Sequence, residues 1–226
     1  HLTLDLHGIY KPTGLNRTYP HIINFESVFG MEEVKWSKIE KDMMKYDVTM
    51  PYIRMMAGPI DYTPGAMRNA NQKDFRDIYY DPMSQGTRCH QLAAYIIHDS
   101  PLTMLADNPT AYRQEAECTK FISRIPNTGI DETKILQGTL GEYIVSARRI
   151  ESNWYIGGMT NWTSRDITLD FSFLPAGNYK YTLFKDGSND YKKASDYQKE
   201  DGFINNQSKI TIHLAPGGGF AISLFK

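Results

Sequence analysis

Hydrophobic and polar residues follow two different patterns along this chain, and the change falls near residue 129. Before it, apolar residues recur at helical spacing between long polar loops; after it, they alternate with polar residues. Recurrence at three and four positions is typical of helices, whereas alternation with period two is typical of strands. The pattern therefore predicts an α/β region over residues 1–128 and an all-β region over residues 129–226.

The first region opens on a predicted strand, because Leu2, Leu4 and Leu6 alternate with polar residues. Three stretches at helical spacing follow, and Asn108 with Pro109 supplies a cap and a first-turn proline for the last of them. The predicted helices are 33–46, 87–99 and 108–123. The run 48–56, which contains a proline, is predicted to be β-like.

In the second region, short alternating runs are separated by turn sequences rich in glycine, asparagine and proline. The predicted strands are 142–150, 154–160, 166–173, 179–184, 209–214 and 220–225. Short strands at this spacing, with no helix between them, indicate an antiparallel β-sandwich. Trp154 alternates with apolar strand residues and is expected in its core, whereas Trp162 follows a strand and is the better candidate for exposure.

Composition narrows the class of protein. The chain has 226 residues, with 41% hydrophobic and 23% charged residues, and it is long enough to bury a sizeable core. A net charge of −1 gives no basic field that would recruit nucleic acid, and no apolar run is long enough to span a membrane. Cys89 and Cys118 are too few for a disulfide framework and are expected to be buried thiols.

Candidate chemistry is concentrated in the polar stretch that follows the first strand. His7 stands at the end of that strand, and Glu26 and Glu32 lie six residues apart further along. Carboxylates in a loop can ligate calcium or act as general acids, but two loop glutamates are more often surface charge, and a lone histidine is more often structural. From the residues alone, both interpretations stay open.

Two strings within this stretch have many defined positions at fixed spacing. They are H-G-x-x-K-P-T-G-x-x-R-T-Y-P, beginning at His7, and N-x-E-S-x-x-G-x-E, ending at Glu32. Together they resemble the catalytic-barrel signature of glycoside hydrolase family 97, which comprises calcium-dependent α-glucosidases and α-galactosidases. The resemblance implies the C-terminal part of a (β/α)8 barrel followed by the β-sandwich. It also implies a large missing N-terminal part, a glycoside substrate and a periplasmic or secreted location.

The same resemblance implies roles for individual residues. Glu26 is expected to be a calcium ligand, and Glu32 the general acid/base whose carboxylate also contacts the metal. His7 is expected to contact a substrate hydroxyl. Independently of the resemblance, Arg17 precedes Thr18-Tyr19-Pro20 and is expected to brace the loop by pairing with Glu26 or a backbone carbonyl, rather than to be a plain loop charge. Asp61 is either a loop-fixing turn residue, which we favour, or part of the pocket wall.

Gly8 indicates the mechanism. In the inverting members of the family the residue after this histidine is a glutamate that acts as a base, and a glycine cannot do so. The chain therefore resembles the retaining branch, which forms a glycosyl–enzyme intermediate through an aspartate on an earlier strand. No residue here matches that nucleophile, so it is expected upstream of His1, and the 226 residues alone are expected to be inactive.

The expected function is therefore that of an exo-acting retaining α-glycosidase, most simply an α-galactosidase. An α-glucosidase of the same family is one alternative. A carbohydrate-binding or interface module is the other, since aromatic residues such as Trp162 could stack on sugars.

Overall fold

The computed structural model describes residues 2–36 and 42–226, which form mostly strands with a few helices. The elements before residue 129 are β1 (Leu4–Leu6), α1 (Leu15–Thr18), β2 (Ile22–Phe25), a 3₁₀ helix (Met31–Lys35), α2 (Met43–Ile53), a second 3₁₀ helix (Met55–Ala57), β3 (Asn69–Ala70), β4 (Ser84–Gln85), α3 (Arg88–Ile97), α4 (Pro109–Gln114) and α5 (Ala116–Ile122). β1 and β2 pair in parallel, and so do β3 and β4.

Two sequence predictions for this region are corrected. The run predicted as β-like, 48–56, is mostly the helix α2, whose first turn is capped by Asp42 through the Lys45 N–H. Its buried positions recur at helical spacing, so packing outweighs Pro51, which lacks one N–H and stands within the helix's last turn. The helix predicted over 33–46 begins instead as a 3₁₀ turn, and its residues 37–41 lie outside the described part of the chain.

The other helical predictions are confirmed in outline. α3 begins after Thr87, whose hydroxyl accepts a hydrogen bond from the His90 N–H at 3.2 Å. Asn108 caps α4 through two backbone N–H groups at 3.0 Å, and Pro109 takes the first helical position. The predicted helix 108–123 is interrupted at Glu115, which separates α4 from α5.

The region after residue 129 is built of antiparallel strands. Its elements are β5 (Glu132–Thr139), β6 (Tyr143–Ile150), β7 (Asn153–Thr160), β8 (Arg165–Asp170), a 3₁₀ turn (Phe171–Phe173), β9 (Tyr179–Asp186), β10 (Tyr197–Ile204), β11 (Lys209–Leu214) and β12 (Gly219–Phe225). Six of them form one sheet in the order β10-β9-β12-β7-β6-β5, and β8 pairs with β11. All six predicted strands are present, whereas β5 and β10 were not among the predicted strands.

One hydrophobic core joins the six-stranded sheet to the β8–β11 pair. It contains Trp154, 1% exposed and in the core as predicted, together with Phe171, Leu183 and Ile212. Trp162 is only half-buried, and Cys89 and Cys118 are buried free thiols, as the sequence predicts. The boundary near residue 129 stays a prediction.

Helix α3 ties the two regions together. All ten of its residues are buried, and it lies against β7 and β12 of the large sheet. The approach is close enough that a Cβ at Gly157 would stand 3.0 Å from the Ala93 carbonyl, and one at Gly219 would stand 2.9 Å from the His90 Cα. Glycine is therefore needed at both positions. Within the described residues, no helix has the length and apolar character needed to cross a membrane.

Candidate active site

The parallel pair β1 and β2 positions the residues singled out in the sequence. Its register places Asp5 opposite Asn24 and Leu6 opposite Phe25, so His7 and Glu26 follow at the same edge. Asn24 is fully buried, and its side-chain amide donates to Asp5 Oδ2 at 3.3 Å and to Ser100 Oγ at 3.0 Å. These bonds fix both strand ends, and carboxyl ends of parallel strands are where α/β proteins place active sites.

His7 is held by carboxylates. Its Nε2 contacts Asp61 Oδ2 in a short hydrogen bond, and its Nδ1 lies 3.7 Å from Glu26 Oε1. Partial burial lowers the pKa of His7, but its hydrogen bond to Asp61 and the charges of Asp61, Glu26 and Asp5 outweigh this and raise it. Half of the His7 side chain stays exposed, so the ring can still meet a ligand.

Asp5, Asp61 and His7 form a first cluster of polar side chains: one oxygen or nitrogen atom of each lies within 4.8 Å of the others. Burial, followed by the charge of Asp61, raises the pKa of Asp5 to about 6. Asp61 itself is 1% exposed, and its backbone N–H donates to the carbonyl of Phe25, the last residue of β2, at 3.1 Å. Its side chain orients His7, and the loop-fixing role favoured from the sequence stays a prediction.

Glu26, Glu32 and Glu33 form a second group of carboxylates, again within 4.8 Å of one another. Glu32 stands in the first turn of the 3₁₀ helix, and burial, followed by the charges of Glu26 and Glu33, raises the pKa of its carboxyl. Its Oε2 is buried and has no hydrogen-bond partner within the described residues. A buried carboxyl oxygen without a partner is costly unless a ligand or a proton satisfies it.

Gly8 contributes its backbone rather than a side chain. Its N–H donates to Glu26 Oε2 at 2.6 Å, with φ at +60°, and a Cβ here would meet no atom of the described chain within 4 Å. The site therefore has open space where a carboxylate could stand.

Arg54 braces the loop that carries Glu26, a role predicted for Arg17. The Arg54 guanidinium donates to Ser27 Oγ at 2.8 Å and to the carbonyls of Phe25 and Glu26 at 3.2 and 3.3 Å. Arg17 is exposed, and within the described residues its side chain makes no hydrogen bond or ion pair with these partners. The prediction for Arg17 was wrong because the brace comes from α2, which the sequence reading had placed in a strand.

Two residues of the site have strained backbones. Ser27, directly after Glu26, has φ at +34°, and Thr63, two residues after Asp61, has φ at +59°. Such conformations are rare for residues with a Cβ and persist only where the surrounding structure holds them. Their positions beside the two carboxylate groups agree with a functional site.

Sequence reasoning brought His7, Glu26 and Glu32 forward, and the structure places them together; their individual roles stay predictions. It missed Asp5 and Arg54. Asp5 had a usable signal, an acidic residue inside an apolar strand. Arg54 had none, since only the tertiary fold brings it to the loop.

Comparison with known proteins shows what this chain is similar to. Residues 129–225 match the family model described as glycosyl-hydrolase 97 C-terminal, oligomerisation. A retaining alpha-galactosidase of Bacteroides thetaiotaomicron is 53% identical over 99% of this chain and 34% of its own length. A probable retaining alpha-galactosidase of Streptomyces bingchenggensis is 24% identical over 98% of this chain and 31% of its own length.

Among solved structures, a glycoside hydrolase family 97 enzyme from Pseudoalteromonas sp. strain K8, in complex with acarbose, superposes with a TM-score of 0.83. It is 30% identical, and the match covers 95% of this chain and 33% of that one. The chain thus spans about one third of the length of the curated relatives it matches. It is accordingly a relative of glycoside hydrolase family 97, and residues 129–225 correspond to that family's C-terminal domain.

Proposed function

We propose that this chain is the C-terminal third of an exo-acting retaining α-galactosidase that hydrolyses terminal α-linked galactose. The 53% identity to a protein named retaining alpha-galactosidase supports the substrate class. On this proposal, residues 1–128 complete a (β/α)8 barrel, residues 129–226 form the β-sandwich, and the protein works in the periplasm or outside the cell.

The observation that carries the proposal is the Glu32 carboxyl. It is partly buried, its pKa is raised, and its Oε2 has no partner among the described residues. Glu26 belongs to the same group of carboxylates, and His7 lies 3.7 Å from Glu26 in the adjoining group. A raised pKa favours the protonated carboxyl that general acid catalysis needs. Glu32 gives this proton to the glycosidic oxygen as the bond from that oxygen to the anomeric carbon breaks.

Retention requires a nucleophile, and we place it in the part of the enzyme upstream of His1. Its carboxylate bonds to the anomeric carbon as the leaving group departs, and Glu32, now ionised, takes a proton from the water that hydrolyses this ester. Gly8 supports this route, because it offers no carboxylate to activate water for direct displacement.

We further propose that calcium binds at the cluster formed by Glu26, Glu32 and Glu33. Glu26 and Glu32 would hold the ion, and the donor set fits, since it consists of hard carboxylate oxygens and includes the unpartnered Glu32 Oε2. Bound there, calcium supplies positive charge that offsets the clustered carboxylates. Chelation should lower activity, calcium should restore it better than magnesium, and an active enzyme found free of metal would contradict the assignment.

The test of Glu32 is Glu32→Gln in the full-length protein. Alkyl galactosides, whose leaving groups need protonation, should lose about 10²–10⁴-fold in kcat, whereas activated aryl galactosides should lose much less in the first step. Glu200→Gln, on β10 and outside the candidate site, is the control and should change the kcat for neither kind of substrate. Equal losses on both kinds of substrate would show that Glu32 serves the metal instead.

Substrate class is tested by comparing the same aryl leaving group on galactose and on glucose. A preference for the galactoside supports the proposal, and a preference for the glucoside would make the protein an α-glucosidase. Sugar binding retained by residues 129–226 alone would favour a carbohydrate-binding module.

A further inference from the structure

Two exposed aromatic rings lie side by side next to the cluster formed by Glu26, Glu32 and Glu33. Trp36 follows the 3₁₀ helix that carries Glu32, and its ring centroid lies 6.1 Å from that of Tyr79 at an interplanar angle of 42°. Trp36 is 46% exposed and Tyr79 is 67% exposed. The Lys35 ammonium lies 4.5 Å from the Trp36 ring centroid and 5.5 Å from that of Tyr79. We call Trp36 and Tyr79 the aromatic pair.

The aromatic pair is fixed relative to the predicted acid. The indole Nε1 of Trp36 donates to Glu33 Oε2 at 2.7 Å, and a Glu33 oxygen lies within 4.8 Å of a Glu32 oxygen. Glu33 thus links the indole to the group of carboxylates that contains Glu32. Because the hydrogen bond and the neighbouring ammonium hold the ring, it is preorganised to bind a ligand.

The reaction chemistry says what would stand there. An acid that protonates a glycosidic oxygen has the departing group beside it, and in an oligosaccharide that group is itself a sugar. Pyranose rings present apolar C–H faces that pack on aromatic rings, and their hydroxyls both donate and accept hydrogen bonds. Glu33 and Lys35 flank the aromatic pair with an acceptor and a donor.

We propose that the aromatic pair is a binding site for the leaving-group sugar, so that the enzyme prefers oligosaccharides to galactosides with a small aglycone. This inference rests on the proposed function and on Glu32 as its acid. It assigns Trp36 and Tyr79 to substrate specificity and Glu32 to the chemistry. The contrasting possibility is that Trp36 only holds Glu33 in place.

The experiment compares two substrates that both need protonation, melibiose and methyl α-galactoside, of which only melibiose has a leaving-group sugar. In the full-length protein, Trp36→Ala should lower kcat/KM for melibiose about tenfold and leave that for methyl α-galactoside within twofold. Trp36→Phe keeps a ring but loses the hydrogen bond to Glu33, so it should retain most of the melibiose activity. Tyr191→Ala, which removes an exposed tyrosine outside the aromatic pair, is the control and should change the kcat/KM of neither substrate.

Three outcomes would each overturn the site. Trp36→Ala could lower kcat/KM equally for the two substrates, it could lower kcat/KM for neither, or Trp36→Phe could be as impaired as Trp36→Ala. If glucosides are the better substrates, maltose and methyl α-glucoside replace the pair and the same outcomes decide. A wild-type protein that hydrolyses no α-glycoside would overturn the proposed function and this inference with it. If the wild type hydrolyses both substrates and the variants affect both equally, this inference alone is overturned.

Discussion

Gly8 and Gly30 shape the site at the scale of single residues, in opposite ways. Gly8 leaves open space beside Glu26, which its backbone N–H contacts. Gly30 leaves none: a Cβ there would stand 2.5 Å from Glu32 Oε2, although its φ of −62° suits any residue. Gly30 is thus needed for the position of the Glu32 carboxyl rather than for the backbone.

Gly30→Ala should therefore lower activity with little loss of stability. The Cβ would displace the Glu32 carboxyl, and a shift of about 1 Å in a catalytic group costs on the order of 10²-fold in rate. Activity and unfolding are measured on the same samples. Gly141→Ala is the converse control, since φ there is +74° with ordinary space, so it should destabilise without changing kcat. A fully active Gly30→Ala enzyme would show that Glu32 does not need this position.

Among the helices and strands, α3 shows which predictions the sequence could support. It was predicted because its apolar residues share one face of a helix and a proline follows two residues beyond its predicted end. α2 was misassigned because Pro51 argued against a helix, and only burial among residues distant in sequence decides for one. The edge strands β5 and β10 were missed because half or more of their residues are polar or exposed.

The site divides in the same way. His7, Glu26 and Glu32 lie in a stretch whose spacing resembles a known family, so the sequence could name them. Asp61 was named without a partner, and Arg54 was not named at all, because their contacts with the loop bridge 54 and 27 positions of the chain. Such contacts depend on the tertiary fold, which no local pattern contains.

The end of α3 makes stability depend on pH. His98 caps this helix, lies buried with its ring 4.7 Å from that of Tyr62, and neither ring nitrogen has a partner in the described chain. Burial lowers the pKa of His98 to about 4. The folded state therefore favours the neutral ring, so its contribution is present above pH 6.5 and is lost as the pH falls toward 4.

Replacing His98 by phenylalanine should remove that dependence. Between pH 7 and pH 5 the wild type should lose about 2 kcal/mol of unfolding free energy more than His98→Phe, at about 1.4 kcal/mol per pKa unit. Denaturant unfolding at the two pH values measures it. Burial raises the pKa of Asp186 to about 7, which has the opposite dependence, but that group is present in both proteins and cancels in the comparison. Identical pH dependence would show that His98 is protonated at little cost in the fold.

At the scale of the whole molecule, the prediction concerns stereochemistry. If the nucleophile lies upstream and Gly8 excludes a base on this loop, the full-length enzyme should release the α-anomer first. Proton NMR recorded before mutarotation distinguishes the anomers, with the free sugar at equilibrium as the reference. An initial β-anomer would contradict the retaining mechanism, and hydrolysis by the 226-residue chain alone would show that the nucleophile has been misplaced.

The burial of α3 also bears on the order in which the protein is made. A ribosome synthesises α3 long before β12, yet β12 is one of the strands that cover it. Until β12 emerges, the apolar face of α3 is open to water or to chaperones, and the helices and loops around the carboxylates lack their support. Completion of the candidate active site is therefore a late event in biosynthesis, and it waits for strands that contribute none of its carboxylates.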